Sequence, residues 1–163
     1  MIIKFLNYLA GLRGEGVLIA CGLGDWCQPD SDNIRISSPL CFTDSAQIME
    51  TAEKSAFLFE VIGRDEDKAY ALKLRDELRC AIRENLIDFN TMTVAGECQT
   101  SQAVALHLGI FNEDEYERAY KRLLDFIREK DYHLDCGMFG LRYIFHVLFE
   151  NGDGELAINL LLS

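Results

Sequence analysis

The 163-residue sequence has no apolar run approaching the roughly 20 residues that a bilayer-spanning helix needs, so no segment reads as membrane-embedded. It is short of positive charge: 16 Lys and Arg face 27 Asp and Glu, a formal net charge of −11. That imbalance disfavours nucleic acid as a partner, because binding there depends on neutralising phosphates. The acidity reads as a solubility feature. The six cysteines form no CxxC pair, and the three histidines (His107, His133, His146) fall in no finger-like spacing. Zinc needs clustered thiolate and imidazole ligands, so no metal is expected. Cys21, Cys27, Cys41, Cys80, Cys98 and Cys136 read instead as buried free thiols in a reducing cytoplasm. No small-residue cleavage site follows Met1 to Leu12, which argues against a signal peptide. Sustained strand-like alternation is missing, and so is a fixed-period repeat.

What remains is a globular composition, 49% hydrophobic and 26% charged, in a chain of one-domain length. It reads as helices joined by short loops. A first helix spans about 1–12, with Ile2, Phe5, Leu6 and Leu9 on one face. An irregular stretch, Arg13 to Leu40, contains both prolines, Pro29 and Pro39; long loops in compact domains are usually functional. Thr43 or Asp44 is expected to cap a helix that stops at Gly63, with Ile48, Ala52, Ala56 and Phe59 inward and Met49 and Ile62 alongside. A second follows over 65–87, with Asp65, Glu66 and Asp67 suiting its dipole. Gln99 to Leu108 is apolar nearly all round in its interior and should be buried, as should Phe139 to Phe149. Between them, the stretch 113–129 is one-sided and capped by Asn112 or a neighbour; a last helix starts at Glu155. The fold class is therefore all-α. Inner helices alternating with outer, charged ones and joined by short connections suit a two-layer α/α toroid or an α-solenoid.

Five segments, in order, resemble the catalytic domain of the α-L-rhamnosidase family of glycoside hydrolases. They are Gly22-Leu23-Gly24-Asp25-Trp26 before a proline-containing loop, and Thr43-Asp44-Ser45-Ala46 opening a helix with its outer partner behind it. Then come Cys98-Gln99-Thr100-Ser101-Gln102-Ala103, similar to the family's "QTA" inner helix, and His133-Leu134-Asp135-Cys136-Gly137-Met138-Phe139-Gly140, similar to its "HLxTGxxG" turn. Gly152 to Leu160 is the last. "GLGDW" is the most specific of these, and Cys136 stands where the family often has threonine. The resemblance covers essentially the whole chain. It implies part of an (α/α)6 toroid built from antiparallel inner/outer helix pairs. It also implies an inverting mechanism, in which one carboxylic acid protonates the glycosidic oxygen and another carboxylate activates water. In the family these two groups lie upstream of "GLGDW" and downstream of the last motif. Residues 1–163 thus read as a partial catalytic domain without its flanking segments, and the isolated chain is expected to be inactive.

The resemblance assigns binding, not proton transfer, to the candidate site residues. Asp25 offers a carboxylate to sugar hydroxyls and Trp26 a flat face to sugar C–H groups; the alternative is a turn cap and a core-filling ring. His133 and Asp135 open an inner helix at a loop that can line a pocket. Gln99 and Thr100 begin the other inner helix, where Thr100 is equally an N-cap. Asp25 with Asp135 or Glu97 is a conceivable acid–base pair, less favoured. His107 and His146 read as structural. No cofactor is implied. The expected partner is a rhamnose-containing carbohydrate, with neither nucleic acid nor membrane, and homo-oligomerisation through exposed apolar helices is anticipated. The competing readings are a solenoid-like protein-interaction module and another (α/α)6 sugar enzyme.

Overall fold

Helix α1 (Ile2–Ala10) is followed by a 3-10 turn, Glu15–Val17. Three helical hairpins follow: α2 (Leu40–Val61) with α3 (Asp65–Leu86), α4 (Gln99–His107) with α5 (Glu113–Glu129), and α6 (Leu141–Glu150) with α7 (Gly154–Leu162). The computed structural model describes residues 1–29 and 36–162; residues 30–35, and with them part of the Arg13 to Leu40 stretch expected from sequence to be irregular, lie outside the described residues. Within each hairpin the two helices pack on each other, and α4 also packs on α2 and α6. The first helices of the three hairpins therefore form a continuous row, with α3, α5 and α7 layered behind. This is the inner and outer rhythm the sequence suggests.

The hairpin turns share one chemistry. After α2, Gly63 (φ +67°) donates its N–H to Glu60 O, and Arg64 N–H reaches back to Phe59 O. After α4, Gly109 and Ile110 repeat the pattern onto Leu106 and Ala105; after α6, Gly152 and Asp153 repeat it onto Phe149 and Leu148. These paired bonds satisfy the orphan carbonyls of a helix end and need a left-handed residue, which glycine supplies without a Cβ penalty. The fourth such turn, after α5, uses Asp131 (φ +49°) with Tyr132 N–H bonded to Ile127 O.

Several boundaries differ from the sequence reading. Helix α2 begins at Leu40, with Pro39 as its N-cap, not at Thr43 or Asp44. Proline fixes a compatible φ, and its carbonyl takes the first helical N–H groups. The side chains of Asp44 and Ser45 turn to a neighbouring segment instead: Asp44 Oδ2 accepts from Cys21 N–H (2.5 Å) and Gly22 N–H (2.6 Å), and Ser45 Oγ from Ile19 N–H (2.9 Å). Ile62 is exposed beyond the buried stripe of Ile48, Met49, Ala52, Ala56 and Phe59. On α1 only Leu6 and Leu9 of the expected face are buried; Ile2 and Phe5 are exposed. Between α3 and α4 lies a small antiparallel hairpin, β1 (Ile87–Asp88) with β2 (Thr93–Val94), Ile87 facing Val94. Two-residue strands are too short to display a period of two.

Helix α4 is buried from Gln99 through Leu106, as expected. Its fully buried Gln102 joins three elements: Oε1 accepts from Val94 N–H (3.2 Å), and Nε2 donates to Met92 O (2.8 Å) and Ala119 O (2.9 Å). Helix α6 departs from expectation. Tyr143, Ile144, Val147 and Leu148 are buried, but Leu141, Arg142, His146 and Phe149 are exposed. The reason is packing: α4 is enclosed by α2, α5 and α6, whereas α6 packs mainly on α4 and α7 and touches α2 through the Tyr143 hydroxyl and Arg142 at Glu50. His146 is thus an exposed residue whose ring lies 5.2 Å from that of half-buried His107. The thiols also differ from the sequence reading: all six are free, but only Cys98 and Cys136 are buried, with Cys41 half-buried and the other three exposed.

Candidate functional site

Two loops meet at the N-terminal ends of α4 and α6. One carries Gly22 to Pro29, the other His133 to Gly140. The Asp44 and Ser45 contacts hold the start of the first loop. Its centre is held by Asp25, which is 1% exposed. Asp25 Oδ1 accepts from Phe139 N–H (3.0 Å) and Gly140 N–H (2.9 Å), and Oδ2 from Gly137 N–H (2.8 Å) and the Thr100 hydroxyl. A carboxylate has about four lone-pair sites, and all are taken here by the chain itself. The charge sits where the α6 backbone presents unpaired N–H groups, which favours it.

Two glycines make this fit possible. A Cβ at Gly137 would overlap the carbonyl oxygens of Asp25 and Trp26, and one at Gly140 would overlap Thr100 Oγ1. The second loop therefore lies backbone to backbone on the first, fixed by Met138 N–H donating to Trp26 O (2.8 Å).

A second set of contacts surrounds Gln99, which is fully buried. Its Nε2 donates to His133 O (2.9 Å), and its Oε1 accepts from Asp135 N–H (3.0 Å). Asp135, 8% exposed, accepts from Gln28 Nε2 at Oδ1 (2.8 Å) and pairs with Lys130 Nζ at Oδ2 (3.1 Å). Gln28 Oε1 in turn accepts from Ser37 N–H (2.9 Å). Asp25 and Gln99 are enclosed and Asp135 nearly so; their side chains are spent on holding the loops together.

The exposed members are different residues. Trp26 is 50% exposed, and Met138 beside it 60%. The His133 ring is exposed, with Nδ1 2.9 Å from Asp131 O, which leaves Nε2 without a bond among the described residues. A cavity of about 630 Å³ opens between Pro29, Lys130, His133, Asp135 and Leu161. The structure thus brings all five sequence-predicted site residues together around one pair of loops, four on the loops and Gln99 at the start of α4, three as struts and two as outward groups. Thr100 is fully buried and serves Asp25, not the N-cap of α4, which is Cys98. Glu97 is exposed with φ +47° and is not among the residues bonded to this cluster. Gln28 was not visible from spacing, since its partner Asp135 is 107 residues away. Burial pushes the Cys136 and Cys98 thiols above their ordinary range, so neither is a poised nucleophile. Among the described residues no three His, Cys, Asp or Glu side chains converge as a metal-ligand set.

The family model described as the bacterial alpha-L-rhamnosidase 6 hairpin glycosidase domain matches residues 2–163. The chain belongs to this family. It is 31% identical over 173 aligned residues to an α-L-rhamnosidase of Formosa agariphila, covering 96% of this chain and 17% of that protein. Among solved structures, the α-L-rhamnosidase described as from Dictyoglumus thermophilum superposes with a TM-score of 0.82 at 27% identity, over 97% of this chain and 18% of that one. The Streptomyces avermitilis α-L-rhamnosidase complexed with L-rhamnose gives a TM-score of 0.86 at 24% identity, over 99% and 15%. The chain therefore spans less than a fifth of the length of these relatives. The three hairpins are part of the α/α toroid of six-hairpin glycosidases, and the inner row α2, α4, α6 is a segment of its inner ring.

Proposed function

We propose that this chain supplies part of the carbohydrate-binding surface of an inverting glycoside hydrolase acting on terminal α-L-rhamnosyl groups. The half-exposed Trp26 ring, held beside the buried Asp25 and by its own carbonyl's bond to Met138 N–H, is the observation that supports this most. Sugars present apolar C–H faces, and a rigid indole matches them at small entropic cost. The free Nε2 of His133 and the 630 Å³ cavity beside it add polar contacts and a volume in the range of small-ligand sites. Asp135 would contribute the charge balanced by Lys130, and Asp25 and Gln99 would act through the loops they hold.

Proton transfer would be supplied by carboxylates other than Asp25 and Asp135, whose oxygens are engaged by the chain's own donors. The isolated chain is therefore expected to bind without hydrolysing. The test is amide and indole chemical-shift mapping with L-rhamnose, set against a panel of other monosaccharides. Saturable shifts centred on Trp26, His133 and Met138 support the reading. Shifts scattered over the outer helices, or turnover of an aryl rhamnoside that Asp25→Ala abolishes, contradict it.

A further inference from the structure

The free N–H groups at a helix N-terminus are a ready site for an anion, but at α6 that place is filled from within. Four donors from three separate places in the sequence converge on Asp25: Gly137, the Phe139–Gly140 pair that opens α6, and Thr100 at the start of α4. The adjacent residue is the outward-facing Trp26, whose carbonyl accepts from Met138 N–H between two of those donors. Trp26 also lies between two left-handed residues, Gly24 (φ +68°) and Cys27 (φ +62°). A non-glycine residue holds such a conformation only where its surroundings over-determine it. Gly137, with no room for a Cβ, supplies that constraint by contact with the carbonyls of Asp25 and Trp26.

We propose that Asp25 is a positioning residue. Its buried carboxylate clamps the 137–140 turn and Thr100 against the segment carrying Trp26, and so fixes the orientation in which the indole ring meets its ligand. The charge matters as well as the shape. An Asn at this position would turn an NH2 group toward one set of N–H donors, because all four incoming partners donate. Loosening the clamp frees the left-handed Cys27 to relax, and the ring moves with it. That the ligand is a sugar rests on the function proposed above; the clamp itself rests on the geometry.

Trp26 is the single tryptophan of the chain, so its fluorescence reports on this ring alone. The experiment compares the emission maximum, the anisotropy decay and L-rhamnose quenching of the full chain with those of Asp25→Asn, Thr100→Val and Thr100→Ser. Each is measured at a temperature where far-UV circular dichroism reports a folded protein. Asp25→Asn and Thr100→Val are expected to shift the emission and increase local ring motion, and to weaken rhamnose affinity by about tenfold or more. Thr100→Ser keeps the hydroxyl and should retain both properties. If Asp25→Asn does not fold, Thr100→Val against Thr100→Ser decides the matter. Unchanged emission, ring motion and affinity in folded variants, even with a lower melting temperature, would overturn the proposal and leave Asp25 a stability residue. If the ring responds as stated but rhamnose quenches no form of the protein, the clamp stands and the sugar reading falls.

Discussion

Arg83 on α3 grips Glu115 on α5 with both prongs of its guanidinium: Nη1 lies 2.7 Å from Oε2 and Nη2 2.9 Å from Oε1. The same Nη1 reaches Ile110 O (2.8 Å), and Glu115 Oε2 accepts from Asn112 N–H (2.7 Å), closing the cap of α5. One ion pair thus joins two outer helices and the turn between α4 and α5.

The Arg83 hydrogen bonds and charge hold the Glu115 carboxyl down to about 2 from its ordinary 4.5. A lowered acid stabilises the fold above its unfolded pKa and ceases to do so as pH falls through its folded value. Glu115→Gln keeps a cap acceptor but removes the charge. It is expected to cost about 1–2 kcal/mol at neutral pH, discounted for partial solvent contact. Denaturant unfolding at several pH values checks this: the gap between variant and parent should close as pH drops from 4.5 toward 2. A gap independent of pH would contradict the charge assignment.

Asp131 takes the left-handed position after α5 that glycine fills after α2, α4 and α6. Asp131→Gly should therefore stabilise the chain, by about 0.5–1 kcal/mol, since the Cβ penalty disappears. Gly109→Ala imposes that penalty and should destabilise by a similar amount. Thermal unfolding of the two variants should give shifts of opposite sign.

Gly140→Ala is expected to be severe. Its new methyl overlaps the Thr100 hydroxyl that bonds Asp25, with Thr100 Cβ (2.9 Å) and Cγ2 (3.0 Å) crowding it as well. Overpacking of this kind costs about 2–3 kcal/mol. Equilibrium unfolding reads it directly, and a near-neutral effect would show that the loop pair is looser than the geometry states.

Much of this was legible in the sequence. Periodicity and helix-stop glycines placed the hairpins, because a 3.6-residue repeat closed by a left-handed turn is written locally. Asp25, Trp26, Gln99, His133 and Asp135 were singled out largely through resemblance, and the structure places them around the same two loops. Their division of labour was not legible. Asp25 and Gln99 look like ligands in sequence, yet each is consumed by bonds to residues 34 to 115 positions away. The exposure of α6 was equally hidden, since an apolar stretch such as Leu141 to Phe149 carries no mark of how many neighbours will cover it.

That exposure has a consequence. Phe57, Leu58 and Val61 on α2, Leu141 and Phe149 on α6, and Ile158, Leu161 and Leu162 on α7 are all exposed. Apolar surface of this extent tends to find a partner. Concentration-dependent self-association in sedimentation velocity is the expected behaviour, and a clean monomer at high concentration contradicts it.

The most direct test of the sugar-binding reading is titration of Trp26 fluorescence with L-rhamnose, using glycerol as a polyol control. Saturable quenching by rhamnose, absent with glycerol and weakened by His133→Ala without a change in melting temperature, is the predicted result. A linear, non-saturating response equal for both compounds would mean that the exposed indole is not a sugar platform.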